Sequence, residues 1–335
     1  MKELAIILGN GFTIDLINHL KYSTYIDVID LFAKGSELKF PGRENSGFLT
    51  SRNCPSLIAL GIYPGVSKDK ANEVFEKIIT CANFFHYGEH FISSKETSLY
   101  VKAYFEIVEY LKFLFIWYDE LFSNMNWRSE IETWQWFKFL KESIDKYDKI
   151  HIYTLNYDTF LEKCLDEIKA SYRIVEVEKS GDHKFEIYKP HGSISFTSTA
   201  KSKVETPYSI PLNFRDSIQS SDINVEYESL INNRIINTII PPYGDKDRTN
   251  ASWSAQMTSI FANNIKDCEK VLICGVSYWH VDRKELDSVL LAANKNSEIL
   301  NINPNPSSLL NAILQSRFEK FEHHRTSSIL RNFYG

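Results

Sequence analysis

The stretch HIYTLNYDTFLEKC, residues 151–164, decides how the chain folds. Its first half is β-branched and aromatic, as a buried strand requires, and from Asp158 onward its apolar residues fall at helical spacing. Between the two stand Asn156, Tyr157 and Asp158, an amide and a carboxylate where a parallel strand meets its helix. In open α/β sheets this carboxyl edge is where ligands are held.

Outward from this point the same rhythm recurs. Strand-like runs appear at LAIILG, KIHIYTLN, FEIYKPHG, NTIIPP, KVLICGVS and EILNINPNP, most of them apolar on both faces, as buried parallel strands are. Helical patterns follow Gly11 and span about 158–170, 252–264 and 282–293. The alternation predicts an α/β fold with a doubly wound, mostly parallel Rossmann-like sheet. Residues 33–146 break it with a Gly/Pro/Ser-rich loop (35–67) and long aromatic helical patterns, which predicts a helical insertion. The sheet domain then comprises residues 1–32 and 147–315, with 316–335 as a C-terminal tail. The insertion's aromatic stripe, including Tyr110, Phe113, Phe115, Trp117, Tyr118, Trp134, Trp136 and Phe137, reads as packed core before it reads as a stacking platform. The polar segment TSTAKSKVETPYS reads as a surface loop near the site.

Composition narrows the function. With 335 residues, 43% of them hydrophobic, and a net charge of -5, the chain can bury a sizeable core and offers no electrostatic reason to bind nucleic acid or an anionic membrane. A small-molecule ligand is the default. The five cysteines include no C-x-x-C pair, which argues against a disulfide framework and a four-thiolate zinc site and suits reduced thiols in the cytoplasm. The most apolar helical pattern carries Glu106, Glu109 and Lys112, so no membrane span is predicted.

Four strand ends carry candidate ligand-binding groups. Gly9-Asn10-Gly11 lies between a strand and a helix, where two glycines let the backbone approach a pyrophosphate and the helix start favours its charge; a plain structural turn explains it as well. The third glycine of a dinucleotide fingerprint is replaced by Ile14, which disfavours a conventional Rossmann oxidoreductase. In YKPHG, Pro190 and Gly192 flank His191 and favour a ligand-facing base over a buried structural imidazole. Gly275 and Ser277 end another strand, and Asn303 a further one, each able to meet phosphate or ribose. Asp158 reads equally as a helix N-cap and as a site residue, and Asp282 reads first as a helix-start aspartate.

The order of these elements resembles the sirtuin-like superfamily. The matching residues are Gly9-Asn10-Gly11-Phe12-Thr13, Leu155-Asn156-Tyr157-Asp158, His191-Gly192, Gly275-Val276-Ser277 and Ile302-Asn303. ILGNGF and NYDTFLE look closest to the bacterial sirtuin-like and abortive-infection H-type proteins of antiphage defence. The four-cysteine zinc module of the protein deacetylases is missing, which puts acyl-lysine hydrolysis in doubt.

The resemblance implies an NAD⁺ hydrolase that cleaves the nicotinamide–ribose bond, with Asn156, His191 and Asp158 catalytic. Gly9, Asn10, Gly11, Phe12, Thr13, Gly275, Ser277 and Asn303 would then bind NAD⁺, which is substrate rather than cofactor, and no metal is expected. It further implies latency, relieved by a separate activating or sensor protein or by homo-oligomerisation, with the insertion and the tail as contact surfaces. A non-catalytic NAD or ADP-ribose-binding module of the same fold is the alternative, disfavoured by the presence of both Asn156 and His191.

Overall fold

The computed structural model describes residues 2–87, 95–198, 208, 210, 219–228, 230–231, 239–241, 252–280 and 282–333. In chain order, β1 (Glu3–Leu8) leads into α1 (Asn10–His19), and a hairpin of β2 (Lys39–Phe40) and β3 (Arg43–Gly47) follows. The insertion continues with α2 (Pro55–Leu60), α3 (Lys68–Tyr87), α4 (Lys95–Ser123), α5 (Arg128–Ile131) and α6 (Gln135–Lys146). The chain returns through β4 (Lys149–Thr154), α7 (Phe160–Glu167), β5 (Tyr172–Ile174) and β6 (Phe185–Tyr188) to a second hairpin, β7 (Phe196–Ser198) and β8 (Ile223–Val225). It finishes with α8 (Ser252–Asn264), β9 (Lys270–Cys274), α9 (Arg283–Ala292), β10 (Glu298–Ile302), α10 (Ser308–Arg317) and β11 (Lys320–His324).

Seven strands form one sheet in the order β11-β10-β9-β1-β4-β6-β5, and every pairing in it is parallel. Strand β1 is central and its Leu4 to Leu8 are buried, so the N-terminal apolar run forms the middle of the core. From β1 the chain leaves toward β4, whereas from β9 it leaves toward β10, which makes the boundary between β1 and β9 the topological switch point. Register then sets the site. Leu8 pairs with both Thr154 and Cys274, and Cys274 pairs with Ile302, so the residues following β1, β4, β9 and β10 emerge level with one another.

The insertion packs as interior. Tyr110, Tyr118, Trp134 and Trp136 are all at most 2% exposed, which leaves these rings as core and removes them as a docking face. Tyr110 donates from its hydroxyl to the Leu31 carbonyl (2.6 Å) and Tyr118 to that of Asp27 (3.0 Å), tying α4 to the segment after α1. Glu106, inside α4, accepts from the backbone N–H groups of Ser56 (3.1 Å) and Leu57 (2.8 Å), so a buried carboxylate caps α2. Among the described residues no helix is long and apolar enough to cross a membrane.

One expectation needs correction. Residues 316–335 are not a tail, because Lys320–His324 form β11 at the sheet edge; this strand is polar and half-exposed, so it lacks the apolar run that marks the buried strands. The short edge strand β5 also escapes the pattern for want of length. The expected strand NTIIPP and the loop TSTAKSKVETPYS lie mostly outside the described residues; Ile239 makes an isolated bridge with Gly192, and Thr197 and Ser198 belong to β7.

Candidate functional site

At the switch point the two glycine loops close on each other. Gly9 N–H donates to the Cys274 carbonyl (2.9 Å) and Gly11 N–H to that of Gly275 (3.2 Å). A Cβ on Gly11 would stand 2.3 Å from the Gly275 Cα, and one on Gly9 2.6 Å from the Gly275 oxygen. Gly275 itself has φ +62°, the left-handed region that favours glycine. These glycines are therefore required first by backbone packing, and the Gly11 N–H expected to face phosphate is bonded to protein. The Phe12 ring is likewise interior, packed against Trp134 (5.1 Å) and Trp136 (5.4 Å), so its side chain is corrected from ligand contact to core. Asn10 is exposed and donates to the Val28 carbonyl (2.7 Å), and Ser277 is exposed.

Behind this loop lies a buried polar network. Asn156 Nδ2 donates to the Gly9 carbonyl (3.2 Å) and to Thr13 Oγ1 (3.1 Å). Thr13 Oγ1 donates in turn to Asp158 Oδ2 (2.8 Å), and Asp158 Oδ1 accepts from the Phe160 N–H (3.2 Å) at the start of α7. Asp158 thus meets the helix start, one of the two roles that its position left open, and joins the buried network. Burial pushes its carboxyl up to about 6, against the pull of the Lys189 charge and the Thr13 hydroxyl. Lys189, itself buried, donates from Nζ to the Asp158 carbonyl and to Glu162 Oε1, both at 2.6 Å. It ties the strand end carrying His191 to the start of α7.

His191 is 2% exposed and lies in a second cluster. Its Nε2 stands 3.1 Å from Glu285 Oε2 and 3.7 Å from Asp282 Oδ1, both carboxylates reaching in from the start of α9. Glu285 Oε1 accepts from the Tyr153 hydroxyl and from Thr258 Oγ1 (3.2 Å). The two clusters join through Tyr157. Its ring lies 6.3 Å from the His191 ring, its carbonyl accepts from the Ile194 N–H (3.0 Å), and its hydroxyl donates to the Ile240 carbonyl (3.0 Å). Asn156 and His191 therefore sit on adjoining segments, both buried, each bonded to protein.

Asn303 holds the loop after β9 by donating to the Val276 carbonyl (3.1 Å), while its Oδ1 accepts from the Asn305 N–H (3.0 Å). Both ends of its amide are thereby taken by backbone. Asp282 stands at the start of α9, as its sequence position indicates, but makes no side-chain capping bond: its carboxylate turns toward His191 instead. Lys189, Glu285 and Tyr153 were missed. Their signals are faint but present: a lysine at a buried strand end, a tyrosine in an otherwise apolar strand, and an acidic pair three residues apart on one helix face.

Comparison with known proteins adds the following. The family profile of the SIR2-like domain matches residues 150–320, just over half of the chain, from within β4 into β11. Among curated proteins none matches this chain in sequence. One solved structure, described as "Structural Basis for the Mechanism and Regulation of Sir2 Enzymes", aligns over 99% of this chain and 90% of its own at 9% identity, with a TM-score of 0.33.

Proposed function

The chain belongs to the SIR2-like domain family, and on that premise we propose that it hydrolyses NAD⁺ at the nicotinamide–ribose bond. The observation that carries this reading is the junction of the two buried clusters, Gly9–Thr13–Asn156–Asp158 and His191–Glu285, beside the topological switch point between β1 and β9.

Cleavage leaves positive charge on C1′ while the C–N electron pair departs with nicotinamide. The ring leaves neutral, so no acid is needed at the leaving group, unlike ordinary glycoside hydrolysis. What the site has to supply is a placed water and a base. Asn156 would orient the water and a ribose hydroxyl once its amide turns from Gly9 to the ligand. His191 would take the proton as the water oxygen bonds to C1′. With Glu285 holding the Nε2 proton, the other ring nitrogen carries the lone pair for that transfer, and the carboxylate stabilises the imidazolium that results. Asp158 acts through Thr13, whose hydroxyl fixes the Asn156 amide.

Unchecked loss of NAD⁺ would arrest the host cell, which suits an antiphage effector held latent until an activating protein or self-association releases it. The internal bonding of Asn156 and His191 is compatible with such a resting state. Incubation with NAD⁺, alone and with proteins encoded alongside, followed by chromatography for free nicotinamide, tests the reading. Release that disappears in Asn156→Ala and in His191→Ala, with melting temperatures nearly unchanged, is the expected result. NAD⁺ binding without release under every condition would replace the enzyme with a non-catalytic binding module.

A further inference from the structure

Asp282 is the anomaly of the site. It stands at a helix N-cap yet makes no capping bond, it is 8% exposed, and among the described residues its Oδ1 has no hydrogen-bond partner. A buried carboxylate oxygen without a donor is costly unless something cationic or protic meets it. The groups around it indicate which. His191, Asp282 and Glu285 each offer one donor atom, and the three atoms lie within 4.8 Å of one another.

We propose that these three side chains form a site for a divalent transition-metal cation of the zinc class. Zinc–nitrogen and zinc–oxygen bonds of about 2.1 Å at tetrahedral angles place neighbouring donor atoms about 3.4 Å apart. The distances from His191 Nε2 to Glu285 Oε2 and Asp282 Oδ1, 3.1 and 3.7 Å, fall on either side of that value. One imidazole nitrogen with two carboxylates suits zinc, cobalt or manganese, whereas magnesium prefers an all-oxygen octahedron. The surrounding shell is also built: Tyr153 and Thr258 donate to Glu285 Oε1, which leaves Oε2 facing the imidazole. Metal-ligating carboxylates are commonly anchored in this way.

Occupancy has a chemical consequence for the proposed hydrolysis. A cation takes the Nε2 lone pair, so the ring proton moves to the other nitrogen and His191 no longer has a lone pair to accept a proton from water. The metal-loaded chain is therefore a silent form, and the cation acts as a brake. This consequence rests on the glycohydrolase reading; the binding itself does not.

The test is a titration of chelator-stripped full-length protein with Co²⁺, followed by its visible ligand-field absorption, and with Zn²⁺ in competition. One cation per chain is expected, with affinity falling about tenfold or more in Asp282→Asn and in Glu285→Gln while the melting temperature of the metal-free protein stays nearly the same. Tyr153→Phe should weaken binding without removing it. Absence of one-to-one binding, or equal affinity in wild type and both carboxylate variants, overturns the site. If those variants do not fold, Thr258→Val provides the same comparison from outside the donor set. Stoichiometric binding with no nicotinamide release in either metal state, with and without the proteins encoded alongside, would keep the site and reject the hydrolase.

Discussion

The most quantitative consequence of the buried network concerns Asp158→Asn. Burial raises the Asp158 carboxyl to about 6 in the folded chain from an ordinary 3.8. Between those values the folded protein holds a proton that the unfolded chain has released, so stability falls as pH rises through this window. A shift of roughly two units corresponds to about 3 kcal/mol, fully present as a penalty above the folded value and absent below the unfolded one. Asparagine keeps an oxygen for the Thr13 hydroxyl but carries no charge, so it removes this slope. Urea denaturation of both proteins, at steps from about pH 3.5 to about pH 7, isolates the effect as the difference between two stability curves. The variant should gain about 3 kcal/mol relative to wild type across that range, nearly all of it between pH 4 and pH 6. A difference that stays flat refutes the reasoning. A difference of opposite sign would mean that the Lys189 charge outweighs burial and holds the carboxylate ionised.

Three further outcomes follow from the geometry. Gly11→Ala places a Cβ 2.3 Å from the Gly275 Cα, a backbone atom that cannot swing aside, and should cost about 3 kcal/mol or more in denaturation. Gly275→Ala should cost at least as much, because its left-handed φ adds strain to the same overlap. Lys189→Met leaves Glu162 buried and unpaired and should destabilise by about 3–5 kcal/mol, whereas Lys34→Met, which breaks only the exposed pair with Glu37, should change stability by less than about 0.5 kcal/mol.

The parts of the fold that the sequence shows are those in which a single segment carries the whole signal. Strands β1 and β9 are nearly continuous apolar runs, β4 and β10 are apolar runs interrupted by His151 and Asn301, and α8 begins and ends where its pattern does. Edge strand β11 alternates exposure along Lys320–His324 and resembles a surface segment, so only its partner β10 reveals it. The site follows the same division. Asn156 and His191 stand out from their positions at strand ends. What each bonds to does not, because the partners lie far off in the chain: Asn156 reaches back to Gly9 and Thr13, and His191 reaches forward to Glu285. The two glycines of the first loop show the reverse failure. Their local spacing suggests a phosphate cradle, while the close approach of Gly275 supplies a packing reason that no local pattern contains.

The measurement closest to the central claim is a structure of the chain with an NAD⁺ analogue whose nicotinamide-ribose ring oxygen is replaced by a methylene, so that the bond cannot break. The ribose should lie at the switch-point crevice, with the Asn156 amide turned from the Gly9 carbonyl and a His191 ring nitrogen directed at a water about 3.5 Å from C1′. An analogue bound elsewhere, or bound here with the Asn156 amide still closed on the Gly9 carbonyl or with the His191 ring out of reach of that water, contradicts the account.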